Sequence, residues 1–165
     1  MGWYDHVKSY VWDDRTTPYL VPAGKLSRPQ ADREFLTYTV FLALVFVPGT
    51  ILALVQARHH HNPLYYWAAA HAASIVWGAI YIAFTKHPLV TLYCVSAPIA
   101  ALLGFATGSF NPNLSTVETL ALCLFALLWF RYSLRVVAIA RAYSGLSPDL
   151  PPDLPPPSPS PRHRR

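Results

Sequence analysis

The stretch FLTYTVFLALVFVPGTILALV, from Phe35 to Val55, decides the fold class of this chain. It contains no charged residue, and the charge-free run continues to Ala57. Because a helix needs about 20 apolar residues to cross the hydrocarbon core of a bilayer, this stretch predicts a transmembrane helix. Pro48 and Gly49 lie in its second half and predict a kink there, with the freed carbonyl satisfied by neighbouring groups.

Three further stretches repeat this pattern. Charge-free runs, histidine aside, fill residues 59–85, 87–117 and 119–130. Hydrophobic residues make up 53% of the chain and charged residues 13%, against about 25% charged in a soluble domain. We therefore predict an all-α membrane protein built as a four-transmembrane-helix bundle. The four spans are predicted at about 35–55, 65–84, 89–107 and 116–137.

The segments on either side of this domain (residues 35–143) differ from it in composition. Residues 1–34 are polar, with five acids and five bases, and Trp3, Val7 and Tyr10 recur at helical spacing. They predict a short amphipathic arm at the membrane interface or, alternatively, a loosely ordered arm, followed by an extended proline-containing stretch. Residues 144–165 contain eight prolines in their last eighteen positions, which predicts a disordered or polyproline II tail.

The distribution of Lys and Arg predicts the orientation. The N-terminal segment has five of these residues, the C-terminal side has six and the second loop has Lys86, whereas the first loop has only Arg58. By the positive-inside rule both ends are cytoplasmic. Placed at span ends, the net charge of +5 indicates contact with anionic lipid and not with nucleic acid. Compact loops favour a bacterial inner membrane, although the sequence at 113–115 fits an N-glycosylation sequon and leaves a eukaryotic membrane open.

The third span carries a stripe of small residues at intervals of four. Its members are Ser96, Ala100, Gly104 and Gly108. Small residues let helix backbones approach closely in lipid, where hydrophobic burial does not drive association. The stripe therefore predicts a helix-packing face, directed either at another helix of this chain or at a partner.

The second span carries a polar seam, which we define as the residues recurring at steps of four and three along one helix face. They are Trp67, His71, Ser74, Gly78, Tyr81 and Thr85. Polar groups inside a bilayer usually face protein, so the seam is predicted to point into the bundle. His71 is its ionisable member. It is either a functional group or a neutral imidazole satisfied by a neighbouring hydroxyl or carbonyl.

Three adjacent histidines, His59, His60 and His61, end the first span at a depth close to that of His71. Imidazole binds zinc, copper, iron and nickel, so these four residues could hold a transition metal or haem. The alternative is an interfacial polar loop. No carboxylate or thiolate falls at metal-motif spacing, and no cofactor is therefore expected.

Arg131 and Arg135 lie four residues apart near the inner end of the fourth span. A guanidinium at the bilayer centre costs at least ~2.5–3.5 kcal/mol, so both are expected near the interface. They could extend to lipid headgroups. Alternatively, Arg131 could face inward and form an ion pair with Asp32 or Glu34.

No enzyme motif is present: we find no phosphate-binding glycine loop, no Gly-x-Ser-x-Gly and no paired carboxylates within the spans. The favoured hypothesis is a non-catalytic accessory or assembly subunit of a larger membrane complex, in contact with lipid and with other membrane protein chains. A second hypothesis is a small oligomeric carrier or channel that uses His71, Ser74 and Tyr81. A third is a membrane protein that binds a metal or haem.

Overall fold

The structure, a computed structural model, describes residues 21–107 and 113–148. Its helices are α1 Arg28–His60, α2 Pro63–Thr85, α3 Pro88–Cys94, α4 Ser96–Ala106 and α5 Thr116–Ala142, with 3-10 turns at Ala23–Lys25 and Tyr143–Gly145. Taking α3 and α4 as one unit, four helical units are long and apolar enough to cross a membrane. The predicted helical class is thus confirmed for this part of the chain, which has no strands. The predictions for the interfacial arm, the proline-rich tail and Gly108 fall outside the described residues, except at positions 21–34 and 144–148.

The first helix begins earlier than its apolar stretch, at Arg28. The backbone N–H of Ser27 donates to Oε1 of Gln30 at 2.9 Å, which is the Gln half of a capping box. Pro29 occupies the first turn, where a missing N–H is tolerated. The assignment of residues 28–34 to an extended arm is therefore wrong, because Pro29 starts the helix here.

A two-residue connection joins α1 and α2 into an antiparallel hairpin. His61 takes a left-handed conformation with φ of 46°, and the Asn62 side chain accepts a 2.9 Å hydrogen bond from the backbone N–H of Leu64. Thr39 on α1 donates to the carbonyl oxygen of Ala79 at 3.0 Å. The face of α2 that packs inward is apolar and mostly small, consisting of Ala69, Ala72, Ile75, Ala79 and Ile82.

The third helical unit is broken at Val95, between α3 and α4. Pro98 lacks an N–H and its ring excludes the carbonyl group four residues earlier, that of Cys94, so the regular helical hydrogen bond cannot form there. α2 lies close to α3 at Gly78, where a Cβ would lie 3.1 Å from Sγ of Cys94. The absence of a side chain at Gly78 therefore permits this crossing.

The fourth unit, α5, packs against α3, α4 and α1. Ser115 and Glu118 form a capping box at its start. Trp129 packs edge-on against Phe41 of α1, with ring centroids 5.2 Å apart. The hydroxyl of Tyr38 donates to Oγ of Ser133 at 3.0 Å, and both residues are fully buried. Aromatic packing and one buried hydrogen bond thus join the first helix to the last.

Two chain segments outside the long helices close one end of the bundle. The backbone N–H of Arg28 donates to the carbonyl oxygen of Ser147 at 2.9 Å, and Ser27 and Ser147 form an isolated parallel bridge. Leu26 and Leu146 are both buried beside this contact. The described residues 144–147 therefore pack against the start of α1, so the predicted disordered tail begins too early at position 144.

Candidate functional site

The most unusual surface of the described chain is the exposed α2 face. It consists of Trp67, Ala70, Ser74, Trp77 and Tyr81, which recur at steps of three and four. Trp67 is 74% exposed, Trp77 73% and Tyr81 50%. Ser74 is the central residue of the 23-residue helix, so the face crosses the middle of α2. Large aromatic and polar side chains are thus presented outward at mid-length.

This finding corrects the predicted direction of the polar seam. Of its six members, Gly78 alone is buried, against α3, while His71 and Ser74 are half-buried. Trp67, Tyr81 and Thr85 point away from the bundle. The small apolar face of α2 packs against α1 instead, because small side chains let the two backbones come close.

A short hydrogen-bonded cluster lies beside the exposed α2 face. The hydroxyl of Ser74 donates to the carbonyl oxygen of His71 at 2.7 Å and lies 2.6 Å from the hydroxyl of Tyr93. Because Ser74 has one hydroxyl hydrogen, Tyr93 must be the donor in that second bond. The His71 ring meets the Tyr93 ring edge-on, with centroids 6.3 Å apart. His71 and Ser74 thus lie together with Tyr93 of α3, whereas Tyr81 of the predicted seam is not part of this cluster.

Several hydrogen-bonding groups on this side of α2 have no partner within residues 21–107 and 113–148. They are the imidazole nitrogens of His71, the indole N–H of Trp77 and the hydroxyl of Tyr81. A neutral imidazole offers one donor and one acceptor, an indole only a donor, and a phenol both. This side of the protein can therefore accept and donate hydrogen bonds to a second molecule.

A groove runs along the other edge of the exposed α2 face, between α1 and α2. It has a volume of about 190 Å³ and is lined by Val47, Thr50, Ile51, Ala73, Val76 and Trp77. The hydroxyl of Thr50 is already used, since it donates to the carbonyl oxygen of Phe46 at 2.7 Å. The groove therefore offers mainly apolar contacts to a bound group.

The second polar site lies at what we call the basic end, where α1 and α3 begin and α2 and α5 end. Arg135 donates to Glu34 through Nε (3.0 Å) and Nη2 (2.7 Å), and through Nη1 to the carbonyl oxygen of Val21 (2.8 Å). Glu34 is fully buried. Such a bidentate contact between a guanidinium and a carboxylate is among the stronger charge-assisted hydrogen bonds. It ties α5 to α1 and to the segment that precedes α1.

The predicted pairing of Arg131 with Asp32 or Glu34 is therefore wrong, and Arg135 is the residue that pairs with Glu34. Arg131 is exposed on α5, one turn before Arg135. The two arginines are four residues apart on one helix, and the rotation and depth of α5 bring the later one level with Glu34.

A weaker set of contacts lies beside this pair. Nζ of Lys86 is 3.3 Å from Oδ1 of Asp32, and the hydroxyl of Tyr143 donates to the same oxygen at 2.9 Å. The ammonium group also lies over the Phe35 ring, 5.6 Å from its centroid. Because Asp32 is half exposed, this pair is worth less than the buried one. Both acids that the structure describes at the basic end, Asp32 and Glu34, are nevertheless paired with a cation of this chain.

The small-residue stripe of the third span is only partly a packing face. Gly104 is buried, Ser96 is half-buried and Ala100 is exposed. Ala97 and Pro98 are buried instead, because the break at Val95 changes which side of α4 faces α5. Within this chain, therefore, Gly104 is the one fully buried member of the stripe in the described residues, and packing of the stripe against a partner stays a prediction.

The structure does not gather the four histidines of the predicted metal site. His59, His60 and His61 are exposed at the end of α1, whereas His71 lies two turns into α2 against Tyr93. Within the described ranges no group of three or more His, Cys, Asp or Glu side chains could hold a metal ion. The His60 ring instead lies beside Tyr65, with centroids 5.9 Å apart.

Comparison of this chain with protein-family models, with curated proteins and with solved structures finds no match.

Proposed function

We propose that this chain is a non-catalytic accessory or assembly subunit of a larger membrane complex, embedded in the bilayer through its four apolar helices. One observation carries the proposal. On a helix long and apolar enough to cross a membrane, the exposed α2 face presents Trp77 and Tyr81, with no hydrogen-bond partner for either side chain in the described part of the chain. Polar groups in a bilayer are costly unless protein covers them, so a second chain is needed to complete this face.

The internal use of the buried polar groups also supports this role. Glu34 is bound by Arg135, and Tyr38 is bound to Ser133, so these groups join helices of one chain. Among the described residues near the middle of α2, Trp77, Tyr81 and the adjacent His71 instead have side-chain groups without a partner in that part of the chain. A subunit that pairs its buried polar groups within the chain, and exposes unpaired hydrogen-bonding groups on one helix, is suited to assembly with other helices.

The proposed orientation places the basic end in the cytoplasm, with an N-in and C-in topology. Lys25, Arg28 and Arg33 lie before or early in α1, and Arg131 and Arg141 lie in the last part of α5; all five are exposed. Arg58 is the one Lys or Arg at the opposite end in the described residues. This asymmetry supports cytoplasmic placement by the positive-inside rule, and a bacterial inner membrane is the proposed location.

The proposal is tested by the intact mass of the full chain, extracted in mild detergent from its own membranes, with co-purifying chains identified. A heteromeric mass with defined partner chains is the expected result. A monomer or a pure homo-oligomer would contradict the accessory role. Deletion of residues 2–20 then tests whether the N-terminal arm contributes, because this deletion retains Val21, whose carbonyl oxygen binds Arg135.

A second candidate function, a small oligomeric carrier or channel, is favoured by the cluster that His71 and Ser74, near the middle of α2, form with Tyr93 of α3. An ionisable group at that depth is a recurrent feature of proton and solute pathways. The test is proton flux into vesicles that contain the purified chain, compared with the His71→Leu variant. Loss of flux in a folded variant supports a carrier, whereas unchanged flux removes His71 from any pathway.

A further inference from the structure

We infer that the exposed α2 face binds one transmembrane helix of a partner chain. This helix is apolar except for hydrogen-bond acceptors near its middle. This inference rests on the proposed function, because it names the surface and the chemistry by which that partner binds. Three features identify this partner helix: the different chemistry of the other exposed helix surfaces, the hydrogen-bond donors near the middle of α2, and the groove between α1 and α2.

The other exposed surfaces of the long helices differ from the exposed α2 face in chemistry. On α1 the exposed large side chains between positions 44 and 55 are all aliphatic: Leu44, Val45, Val47, Ile51, Leu52, Leu54 and Val55. On the first half of α5 they are Val117, Leu120, Leu124, Phe125, Leu127 and Leu128. Such surfaces suit acyl chains, which offer no hydrogen bonds. The aromatic and polar surface at the same depth on α2 does not suit them.

The donors on the exposed α2 face define what the partner must supply. Trp77 lies three residues from Ser74, the centre of α2, which is about 4.5 Å along the helix axis. Its indole N–H can only donate, and the Tyr81 hydroxyl one turn further has a hydrogen to donate as well. A Ser, Thr, Asn or Gln side chain on a facing helix provides the acceptor at that depth. A lipid headgroup remains at the interface and cannot reach it.

The groove between α1 and α2 supplies the apolar half of the contact. Trp77 lines it together with the apolar residues Val47, Ile51, Ala73 and Val76. A cavity of about 190 Å³ accommodates one apolar side chain of a facing helix. The partner helix thus places an apolar residue in the groove and an acceptor within reach of Trp77, on adjacent turns of the same face.

The test uses the full chain in its own membranes and a photoreactive benzoylphenylalanine placed at one position at a time. Ala70→benzoylphenylalanine probes the exposed α2 face and retains Trp77 and Tyr81. Leu120→benzoylphenylalanine on α5 is the matched control, since position 120 is also exposed and apolar. We expect position 70 to crosslink to a transmembrane segment of one defined partner chain, mapped by mass spectrometry, and position 120 to crosslink to lipid.

A second variant tests the hydrogen-bond chemistry. Trp77→Phe removes the indole N–H and retains an aromatic ring, so it should weaken retention of the same partner by roughly 3- to 20-fold in a detergent titration. Unchanged retention would overturn the assignment of a donor–acceptor contact at this position. The Leu120→Phe variant serves as the control and should retain the partner fully.

The possible failures are distinguishable. If a partner co-purifies but position 70 crosslinks only to lipid, the surface is wrong and the accessory function stands. If position 70 crosslinks to a second copy of this chain, the occupant is wrong and the face is a homo-oligomer interface. If no partner chain co-purifies in mild detergent, the proposed function itself fails.

Discussion

Gly78 of α2 lies so close to Cys94 of α3 that a Cβ atom at position 78 would stand 3.1 Å from the cysteine sulfur. Val90 and Tyr93 line the same spot, at 3.6 Å and 3.8 Å from that Cβ position. The second and third helical units therefore meet through a backbone surface, as small residues allow in lipid. Cys94 is fully buried and acts here as a small packing group.

Gly78→Leu should lower the free energy of unfolding by roughly 1–3 kcal/mol, because the larger side chain overpacks the contact with α3. Gly49→Leu is the matched control, since nothing lies within 4 Å of a Cβ at position 49. The measurement is thermal unfolding in detergent, followed by circular dichroism. Equal losses in the two variants would contradict the close approach at Gly78.

The buried ion pair gives a second prediction. Glu34→Ala or Arg135→Ala leaves its partner uncompensated and should cost about 3–5 kcal/mol, since Glu34 is fully buried. Arg131→Ala, one turn away and exposed, should change stability by no more than about 0.5 kcal/mol. Chemical denaturation in mixed micelles measures all three. A loss at position 131 as large as at 135 would show that the cation has been assigned to the wrong residue.

A third prediction concerns the hydroxyl groups of two tyrosines. Tyr38→Phe removes the bond to Ser133 and should cost about 0.6 kcal/mol, the average for a hydrogen bond between membrane helices. Tyr81→Phe removes a hydroxyl that has no partner in the described chain, so the purified, partner-free protein should keep its stability. The midpoint of thermal unfolding of each variant is compared with that of the wild type. A destabilised Tyr81→Phe variant would mean that this hydroxyl is bonded within the chain.

The connection between α1 and α2 supplies a fourth prediction. Asn62→Ala removes the N-cap that holds the Leu64 N–H and should destabilise the protein by about 1 kcal/mol. His61→Gly should stabilise the protein by up to about 1 kcal/mol, because glycine adopts the observed φ of 46° without steric cost. Unfolding temperatures of both variants check this. Destabilisation by His61→Gly would indicate that the imidazole makes a contact of its own.

The four apolar helices were predictable because composition alone decides them: few soluble chains carry stretches like Phe35–Val55. The break in the third helical unit at Val95 was less predictable. Pro98 indicated an interruption, but the break falls three residues earlier, where the proline ring excludes the Cys94 carbonyl. The start of α1 at Arg28 was missed, because the capping box of Ser27 and Gln30 lies in a polar stretch with no apolar periodicity.

The exposed α2 face was predicted only in part: Trp67, Ser74 and Tyr81 belong to the predicted seam, whereas Ala70 and Trp77 were not identified. Periodicity placed His71, Ser74 and Tyr81 along one side of α2, but which face turns inward depends on packing against α1. The small face around Ala72 and Ala79 takes that place. Tyr93 was not identified because its partner, Ser74, is on another helix. A lone tyrosine in an apolar span was the one available signal.

Glu34 and Arg135 are separated by 101 positions in the chain, and this separation delays the formation of their ion pair during synthesis. At about 5–20 residues per second, roughly 5–20 s pass between translation of the acid and translation of its cation. Throughout that interval Glu34 lacks the cation that it contacts in the folded chain, and burial of an unpaired carboxylate is costly. Complete burial of the first turns of α1 is therefore favoured only once the last helix has been made.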